Sequence, residues 1–298
     1  MKKLLSWLQA SRPASQAYIF FPLLLGQAFW VQQGHNLYWP FAVLTWLFGL
    51  AIQLYIVYAN DYIDVEVDRL NVTYTPFSGG SRVLVEGKIR RGALAIAAWI
   101  TVGANLGLAL VFSLSDRPLA VPFILFSLLL LWLYSYPPVR LSYRGGGELL
   151  QMIGVGLVLP LFGYYIQAGV LGSFPVRFLA PFLPLQLACA FSTTLPDEPS
   201  DRVGGKKTVS VLLGLKPSKG LVLFLHASAI VLYGLFIARF RPAQNALPVL
   251  VIPVAAWSAM FYFSRQAQPG TRAMFFFVSF SILATVGFTA AMAWEQFG

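Results

Sequence analysis

Charge is what this chain has least of. Asp, Glu, Lys and Arg make up 11% of its 298 residues, where soluble globular domains carry roughly 25%. That scarcity excludes an ordinary water-soluble fold. A mean hydropathy of +0.70, with 58% hydrophobic residues, shows what takes its place: long apolar runs that belong in a bilayer. Cysteine is nearly absent. Cys189 stands alone, which excludes an intrachain disulfide and a cysteine metal cluster, and it reads as a small core residue. The two histidines, His35 and His226, are remote from the acidic residues, so neither supports a metal or general-base role. Acidic residues number 11 against 21 basic ones, for a formal net charge of +10. Such an excess suits nucleic acid only when it shares a soluble face. Here Lys and Arg lie between apolar runs, and no nucleic-acid partner is expected.

What the sequence has instead is helix-length apolar segments. Nine spans are expected, at about 14–33, 40–59, 92–113, 118–136, 149–169, 176–195, 219–238, 246–264 and 273–294. Each approaches the length a helix needs to cross the hydrocarbon. The runs are too long, and alternate too little, for membrane strands. The expectation is one all-α domain over residues 1–298, a polytopic bundle of nine transmembrane helices around a central cavity. Lys2, Lys3 and Arg12 precede the first run and no convincing small-residue cleavage site follows it, so it reads as an uncleaved span. With the N-terminus inside, seventeen of the 21 basic residues fall on the inner side, and Arg117, Arg177, Arg239 and Arg241 fall outside. That bias predicts an integral protein of the plasma (inner) membrane, with a cytoplasmic N-terminus, an outer C-terminus and loops 60–91, 137–148 and 196–218 on the cytoplasmic face.

The scarce acidic residues are not scattered. Asp61, Asp64, Glu66 and Asp68 fall in "ANDYIDVEVDR" at 59–69, and Asp197, Glu198 and Asp201 in "PDEPSD" at 196–201, seven of the 11 in two short segments. If the second span continues helically, Asp61, Asp64 and Asp68 share one face, with Asn60 at the span end. Asp197 and Asp201 repeat the i, i+4 spacing. Like charges so arranged are tolerable around a divalent cation. All-oxygen ligands favour magnesium or calcium, and magnesium is commonly shared with substrate phosphates. The natural ligand set is two carboxylate clusters, water and a diphosphate, with Arg69, Arg82, Lys88, Arg140, Arg144, Lys206 and Lys207 nearby as phosphate partners. Glu66 lies off the shared face and reads as solvated; Arg90 and Arg91 read as topology anchors. "SGGSR" at 78–82 is either an anion nest or a plain turn, and Gly145–Gly147 leaves the same choice. A cation-coupled transporter would also use intramembrane acids, but near the midplane, whereas these lie at the membrane edge and suit a surface-delivered diphosphate.

"NDYIDVEVD" at 60–68 resembles the first Asp-rich motif of the UbiA superfamily of intramembrane prenyltransferases. "DEPSD" at 197–201, followed by "GGKKT" at 204–208, resembles the second, and "YSYPPVR" at 134–140 resembles the Tyr- and Pro-rich segment after the fourth span. The resemblance implies Mg2+-dependent transfer of a prenyl group from an isoprenoid diphosphate, polyprenyl or phytyl-type, to an aromatic acceptor within membrane lipid, with release of diphosphate. It implies Asn60, Asp61, Asp64 and Asp68 as one metal-binding set and Asp197 and Asp201 as the other, with Arg140 and Lys206 on the diphosphate and Tyr134 and Tyr136 at the reacting centre. Asp64, Asp68 and Asp197 are the expected catalytic carboxylates. "TPFSGGSRVLVEG" at 75–87, "GYYIQAG" at 163–169 and "GKKTVSVLLG" at 205–214 resemble the menaquinone branch, which implies 1,4-dihydroxy-2-naphthoate as acceptor. Homogentisate, 4-hydroxybenzoate, a chlorophyllide, a haem and a glycerol phosphate are the other acceptors the superfamily leaves open.

Overall fold

A computed structural model describes residues 2–240 and 243–297. Arg241, counted above among the outer basic residues, lies outside the described residues. The described chain is helical almost throughout: α1 (Lys2–Ser11), α2 (Gln16–Gln32), α3 (Trp39–Leu70), α4 (Arg91–Leu114), α5 (Ala120–Ser135), α6 (Leu141–Arg144), α7 (Gly147–Met152), α8 (Leu159–Ala168), α9 (Leu179–Thr194), α10 (Glu198–Val203), α11 (Val209–Leu213), α12 (Leu215–Phe240), α13 (Ala243–Ser264) and α14 (Arg272–Phe297). A π-helical turn, Ile153–Val158, joins α7 to α8 as one continuous rod. Seven helical segments are long and apolar enough to cross a bilayer, and Ala120–Ser135 and Pro248–Ser264 are shorter apolar helices. This is an integral, polytopic, all-α membrane protein.

Its polarity is arranged for lipid. On α4, Ile96, Trp99, Ile100 and Leu110 face outward, Trp99 with 73% of its surface exposed, while Thr101 and Asn105 are buried. Gln27, Gln53, Gln186, His226 and Ser281 are buried likewise. Apolar residues out and polar residues in is the pattern a hydrocarbon solvent selects. Glycine brings two helices into backbone contact. A Cβ at Gly26 of α2 would strike the Pro160 carbonyl of α8, and one at Gly163 of α8 would strike the Leu23 carbonyl of α2. Small residues at both crossing points let the helices approach closely enough for dispersion to hold them where water expulsion contributes nothing.

Two elements differ from the sequence expectation. The second span was expected to end near 59, but α3 runs on to Leu70. At 1.5 Å per residue its 32 residues measure about 48 Å, well beyond a hydrocarbon core of about 30 Å. Its last turns therefore project past the core, carrying the first acidic cluster on a rigid stem. The other is α1, which no apolar run announced because it is short and amphipathic. Trp7 packs edge-on against Tyr58, and Leu4, Leu5 and Leu8 remain exposed, as on a helix lying in the membrane interface.

Candidate active site

The two acidic motifs lie 136 positions apart in the chain, counting from Asp61 to Asp197, and meet at one end of the bundle. Asn71, at the end of α3, donates from Nδ2 to Asp197 Oδ1 at 2.7 Å, and Gly79 N–H donates to Asp197 Oδ2 at 3.0 Å. Thr73 Oγ1 donates to the Pro196 carbonyl at 2.7 Å. The loop after the first motif is thus stitched to the second. On α3, Asp61, Asp64 and Asp68 share the buried face, because i, i+3 and i+7 return to one side of a helix. Glu66 is on the other side, paired with Arg69 where both are more than half exposed.

Among the described residues, all of the motif carboxylates but Asp68 accept hydrogen bonds. Asp61 accepts hydrogen bonds from Ser81 Oγ and N–H and from Arg12. Asp64 accepts from Tyr143 Oη at 2.9 Å and from Lys206 Nζ at 2.7 Å. The same ammonium lies 3.8 Å from Asp201 Oδ1, so Lys206 bridges the motifs as a buried cation. Asp201 also accepts from Thr208 Oγ1 at 3.3 Å. Asp68 lies against Gly80, whose φ of +71° and lack of a Cβ allow the contact; any side chain there would strike the carboxylate. In the "SGGSR" segment Gly79 and Ser81 aim their N–H groups at Asp197 and Asp61, one carboxylate from each motif.

The electrostatics follow from burial. Burial pushes the Asp201 carboxyl up to about 7; the Lys206 ammonium opposes this, and the Asp197 and Asp64 charges reinforce it. Asp197 is raised by burial, against the pull of its Asn71 and Gly79 hydrogen bonds. Burial alone would lower the Lys206 ammonium, but Asp64 and Asp201, with Tyr134 and Tyr143, outweigh it and hold it well above the usual lysine range. Burial and the Asp64 charge raise the Tyr143 phenol.

Three arginines surround the carboxylates with a shared peculiarity. Arg12, Arg82 and Arg140 each have a buried Nε without a hydrogen-bond partner among the described residues, and each adopts a positive φ, at +43°, +68° and +47°. Asp116 is the other non-glycine residue among those described that does so. Left-handed backbone costs an L-residue roughly 1–2 kcal/mol, and an unpaired buried donor costs a comparable amount. Arg12 pairs with Asp61, Arg82 Nη1 donates to the Asp68 carbonyl, and Arg140 stacks 3.4 Å over the Tyr143 ring. All three thus border the acidic cluster with donor capacity to spare, the condition expected of an anion site.

The other residues singled out from the sequence divide. Tyr134 lies within the field of Lys206, Asp64, Glu148 and Asp201, and Tyr136 within that of Tyr62 and Tyr55. Arg69 turns outward to Glu66, and Lys88 reaches Glu86 at 2.5 Å and Gln9 at 2.9 Å, so the structure brings neither onto the carboxylates. Both lie on the solvent side of their segments, where nearby acceptors are cheaper to reach than the buried cluster. Arg144 and Lys207 are exposed. Sequence reasoning missed Arg12, which it read as a topology signal, along with Asn71, Ser81, Tyr143 and Thr208. Thr208 lies seven residues from its partner Asp201, but the partners of the others are 20 or more residues away and no spacing announces them. It also missed Glu148, which accepts the Val209 N–H at 2.8 Å and anchors the loop bearing Lys206.

The donor set suits a hard divalent cation. The two motifs supply six oxygen-bearing side chains, Asn60 Oδ1 is buried and unpaired among the described residues, and Lys206 already stands in as a cation between Asp64 and Asp201. Among the described residues no three carboxylates converge on a single point, since serine, tyrosine, lysine and arginine hold them apart. A cation would exchange with these protein donors and complete its shell with water or phosphate.

Fold and clusters together define a polytopic helical membrane protein that gathers two acidic motifs and three arginines at one end of its bundle. The particular family follows from comparison: the chain belongs to the UbiA prenyltransferase family, whose model matches residues 19–281. It is 29% identical over 215 residues to homogentisate solanesyltransferase, chloroplastic, of Arabidopsis thaliana, covering 67% of this chain and 53% of that protein. It is 32% identical over 102 residues to 1,4-dihydroxy-2-naphthoate octaprenyltransferase of Bacillus subtilis (strain 168), covering 34% of this chain and 32% of that protein. The chain thus spans about half the length, or less, of these curated relatives. In fold it is similar to a UbiA homologue from Archaeoglobus fulgidus, solved bound to DMAPP and Mg2+, with a TM-score of 0.73 at 16% identity over 98% of this chain and 99% of that one.

Proposed function

We propose that this protein is a membrane prenyltransferase: it moves a prenyl group from a polyprenyl or phytyl-type diphosphate to an aromatic acceptor and releases diphosphate. One observation carries the reading. The facing acidic motifs share a buried Lys206 cation and are bordered by Arg12, Arg82 and Arg140, whose Nε donors have no acceptor among the described residues. Asn60, Asp61, Asp64, Asp68, Asp197 and Asp201 would hold Mg2+, the ion bound to the Archaeoglobus homologue. When bound, Mg2+ neutralises charge building on the departing diphosphate. Arg12, Arg82 and Arg140 bind phosphate oxygens with their free guanidinium donors. With Mg2+ held by the carboxylates, Lys206, now paired with Asp64 and close to Asp201, would be free to pair with a diphosphate oxygen. Tyr134 and Tyr136 present ring faces to the allylic carbon as it gains positive character, and the apolar helix walls exclude water from it.

The bundle is proposed to span the plasma membrane nine times, the shorter helices Ala120–Ser135 and Pro248–Ser264 crossing with the seven longer ones, with this site on the cytoplasmic face. The proposed acceptor is 1,4-dihydroxy-2-naphthoate, supported by the menaquinone-like segments at 75–87, 163–169 and 205–214 and by the Bacillus relative. Homogentisate is the second reading, favoured by the Arabidopsis relative, which aligns over about twice the length. Purified protein incubated with Mg2+, geranylgeranyl diphosphate or a longer polyprenyl diphosphate, and each acceptor in turn should yield prenylated naphthoate by mass. Prenylation of homogentisate alone would move the acceptor assignment, and no diphosphate release with any acceptor would overturn the enzyme reading.

A further inference from the structure

Helix α1 takes no part in the chemistry proposed above, yet it is fastened to residues that do. Ala10 is on its buried side, while Leu4, Leu5 and Leu8 keep 74%, 58% and 54% of their surface exposed. These leucines stand at i, i+1 and i+4 and form one face of the helix. On one flank of that face Trp7 sits edge-on to Tyr58, with ring centres 5.9 Å apart. On the other flank Gln9 Nε2 donates to the Ser81 carbonyl at 2.7 Å, and Gln9 Oε1 accepts from Lys88 Nζ at 2.9 Å. Tyr58 falls at the end of the apolar run of α3, two residues before Asn60. Trp7 therefore sets α1 at the level where hydrocarbon gives way to headgroups.

Two routes lead from α1 to Asp61. Arg12 directly follows α1 in a left-handed turn, with φ of +43°, and is held from both sides. Its N–H donates to the Gln9 carbonyl at 3.2 Å, and Ser15 N–H and Oγ donate to its own carbonyl at 2.9 and 2.7 Å. Pro13 stiffens the next position. So tight an elbow moves with α1, and the guanidinium it carries pairs with Asp61. The second route runs from Gln9 to Ser81, whose N–H and Oγ both donate to Asp61.

The surroundings of α1 are basic. Its sequence, KKLLSWLQAS, holds no acid, and Lys3 is exposed. Arg91 stacks 4.5 Å over Tyr62, one turn past Tyr58 on the same face of α3, and both Arg90 and Arg91 are exposed. Glu86, an acid close by, is paired with Lys88. Exposed leucines bordered by Lys and Arg are the composition of a helix that lies on an anionic bilayer surface.

We propose that α1 is a docking helix for the anionic phospholipid surface on the side of the acidic site, and that its seating there holds Arg12 and Ser81 on Asp61. The leucines meet acyl chains, the basic residues meet headgroup phosphates, and the elbow at Arg12 passes the position on. The docking rests on α1 and its contacts; its consequence for turnover rests on the prenyl-transfer reading.

The test uses the whole protein reconstituted in vesicles. In a Cys189→Ser background, Leu5→Cys carrying a fluorophore reports on the leucine face. Lipid bearing a doxyl spin label should quench it, more strongly in vesicles containing phosphatidylglycerol than in phosphatidylcholine alone. Lys3→Glu should reduce that preference, and Leu4→Gln with Leu8→Gln should abolish the quenching. Without the fluorophore, Leu4→Gln with Leu8→Gln should raise the donor KM about tenfold, the scale of one charge-assisted hydrogen bond. The acceptor KM and the melting point in detergent should stay in place. Quenching by aqueous iodide instead of doxyl lipid would overturn the docking. So would protection from both quenchers, which would put a second copy of the chain on the leucines, and so would equal doxyl quenching in the two lipids. A melting point lowered by the leucine changes would show that they serve the fold, and a donor KM they leave unmoved would overturn the coupling to Asp61. Quenching needs no turnover, so an inactive protein that is still quenched as expected refutes the enzyme reading and leaves the docking standing.

Discussion

Asp64 and Lys206 are the residues on which the site turns. Asp64 is 3% exposed and bonded to Lys206 and Tyr143. Asp64→Asn keeps the shape and removes the charge that Lys206 pairs with and that the proposed cation would need. Turnover should fall at least about a hundredfold, the scale of losing one preorganised electrostatic contact, and Asp197→Asn should do likewise, with helix content by circular dichroism unchanged. Normal turnover of both variants at limiting Mg2+ would remove the two-motif site. The raised Asp201 carboxyl gives a pH signature. Its folded value of about 7 lies above the ordinary 3.8, so in the metal-free protein the folded state binds the extra proton between these values. The stability this group contributes is present at low pH and is lost as pH rises through about 7. Mg2+ competes with that proton, so its stabilisation should be larger on the alkaline side of 7 than on the acidic side. Melting curves with and without Mg2+ across that range measure both effects.

At the scale of elements, position comes from helices that run past the membrane and from glycines that let backbones touch. The reach of α3 to Leu70 places three carboxylates on a rigid helical face rather than in a loop. Gly80→Ala should therefore be severe for activity: its Cβ would displace Asp68, and its φ of +71° disfavours any side chain. At the α2–α8 crossing, Gly163→Val should destabilise the bundle by about 3 kcal/mol, the upper range for overpacking, because the Leu23 carbonyl it meets is backbone and cannot rotate away. The check is the melting temperature in detergent, with Gly172→Val, which meets nothing within 4 Å, as the control.

At the scale of the whole molecule, the structure groups the loops by end. Lys219 at the start of α12 donates to the Ser264 and Ala267 carbonyls at 2.6 and 2.7 Å, and Asn71 reaches Asp197. At another junction Arg117 donates to the Ile166 carbonyl at 2.8 Å. These joins pair the segments that the basic-residue count assigned to a common side. In a Cys189→Ser background, Thr75→Cys and Val203→Cys should resist an impermeant thiol reagent applied to intact cells, while Ser173→Cys should react. Labelling of Thr75→Cys or Val203→Cys from outside would reverse the proposed orientation.

The sequence by itself determined the solvent, the helical character of the apolar runs and the two acidic motifs. Those are local properties: an apolar run of sufficient length must be helical in hydrocarbon to satisfy its own backbone, and carboxylates at i, i+3 and i+7 share a face wherever the helix lies. The glycine and arginine at 79–82 were visible as a turn or a nest, but what they grip was not, since Asp197 is more than a hundred residues away. Only the tertiary structure decided that Arg12 pairs with Asp61, that Lys206 sits between the motifs, that Arg69 and Lys88 turn aside, and that Gln186 is left unpaired. Each of these depends on which helix lies beside which. In a chain whose spans are all apolar, hydropathy scarcely distinguishes one neighbour from another, and close glycine contacts and a few buried hydrogen bonds make that choice.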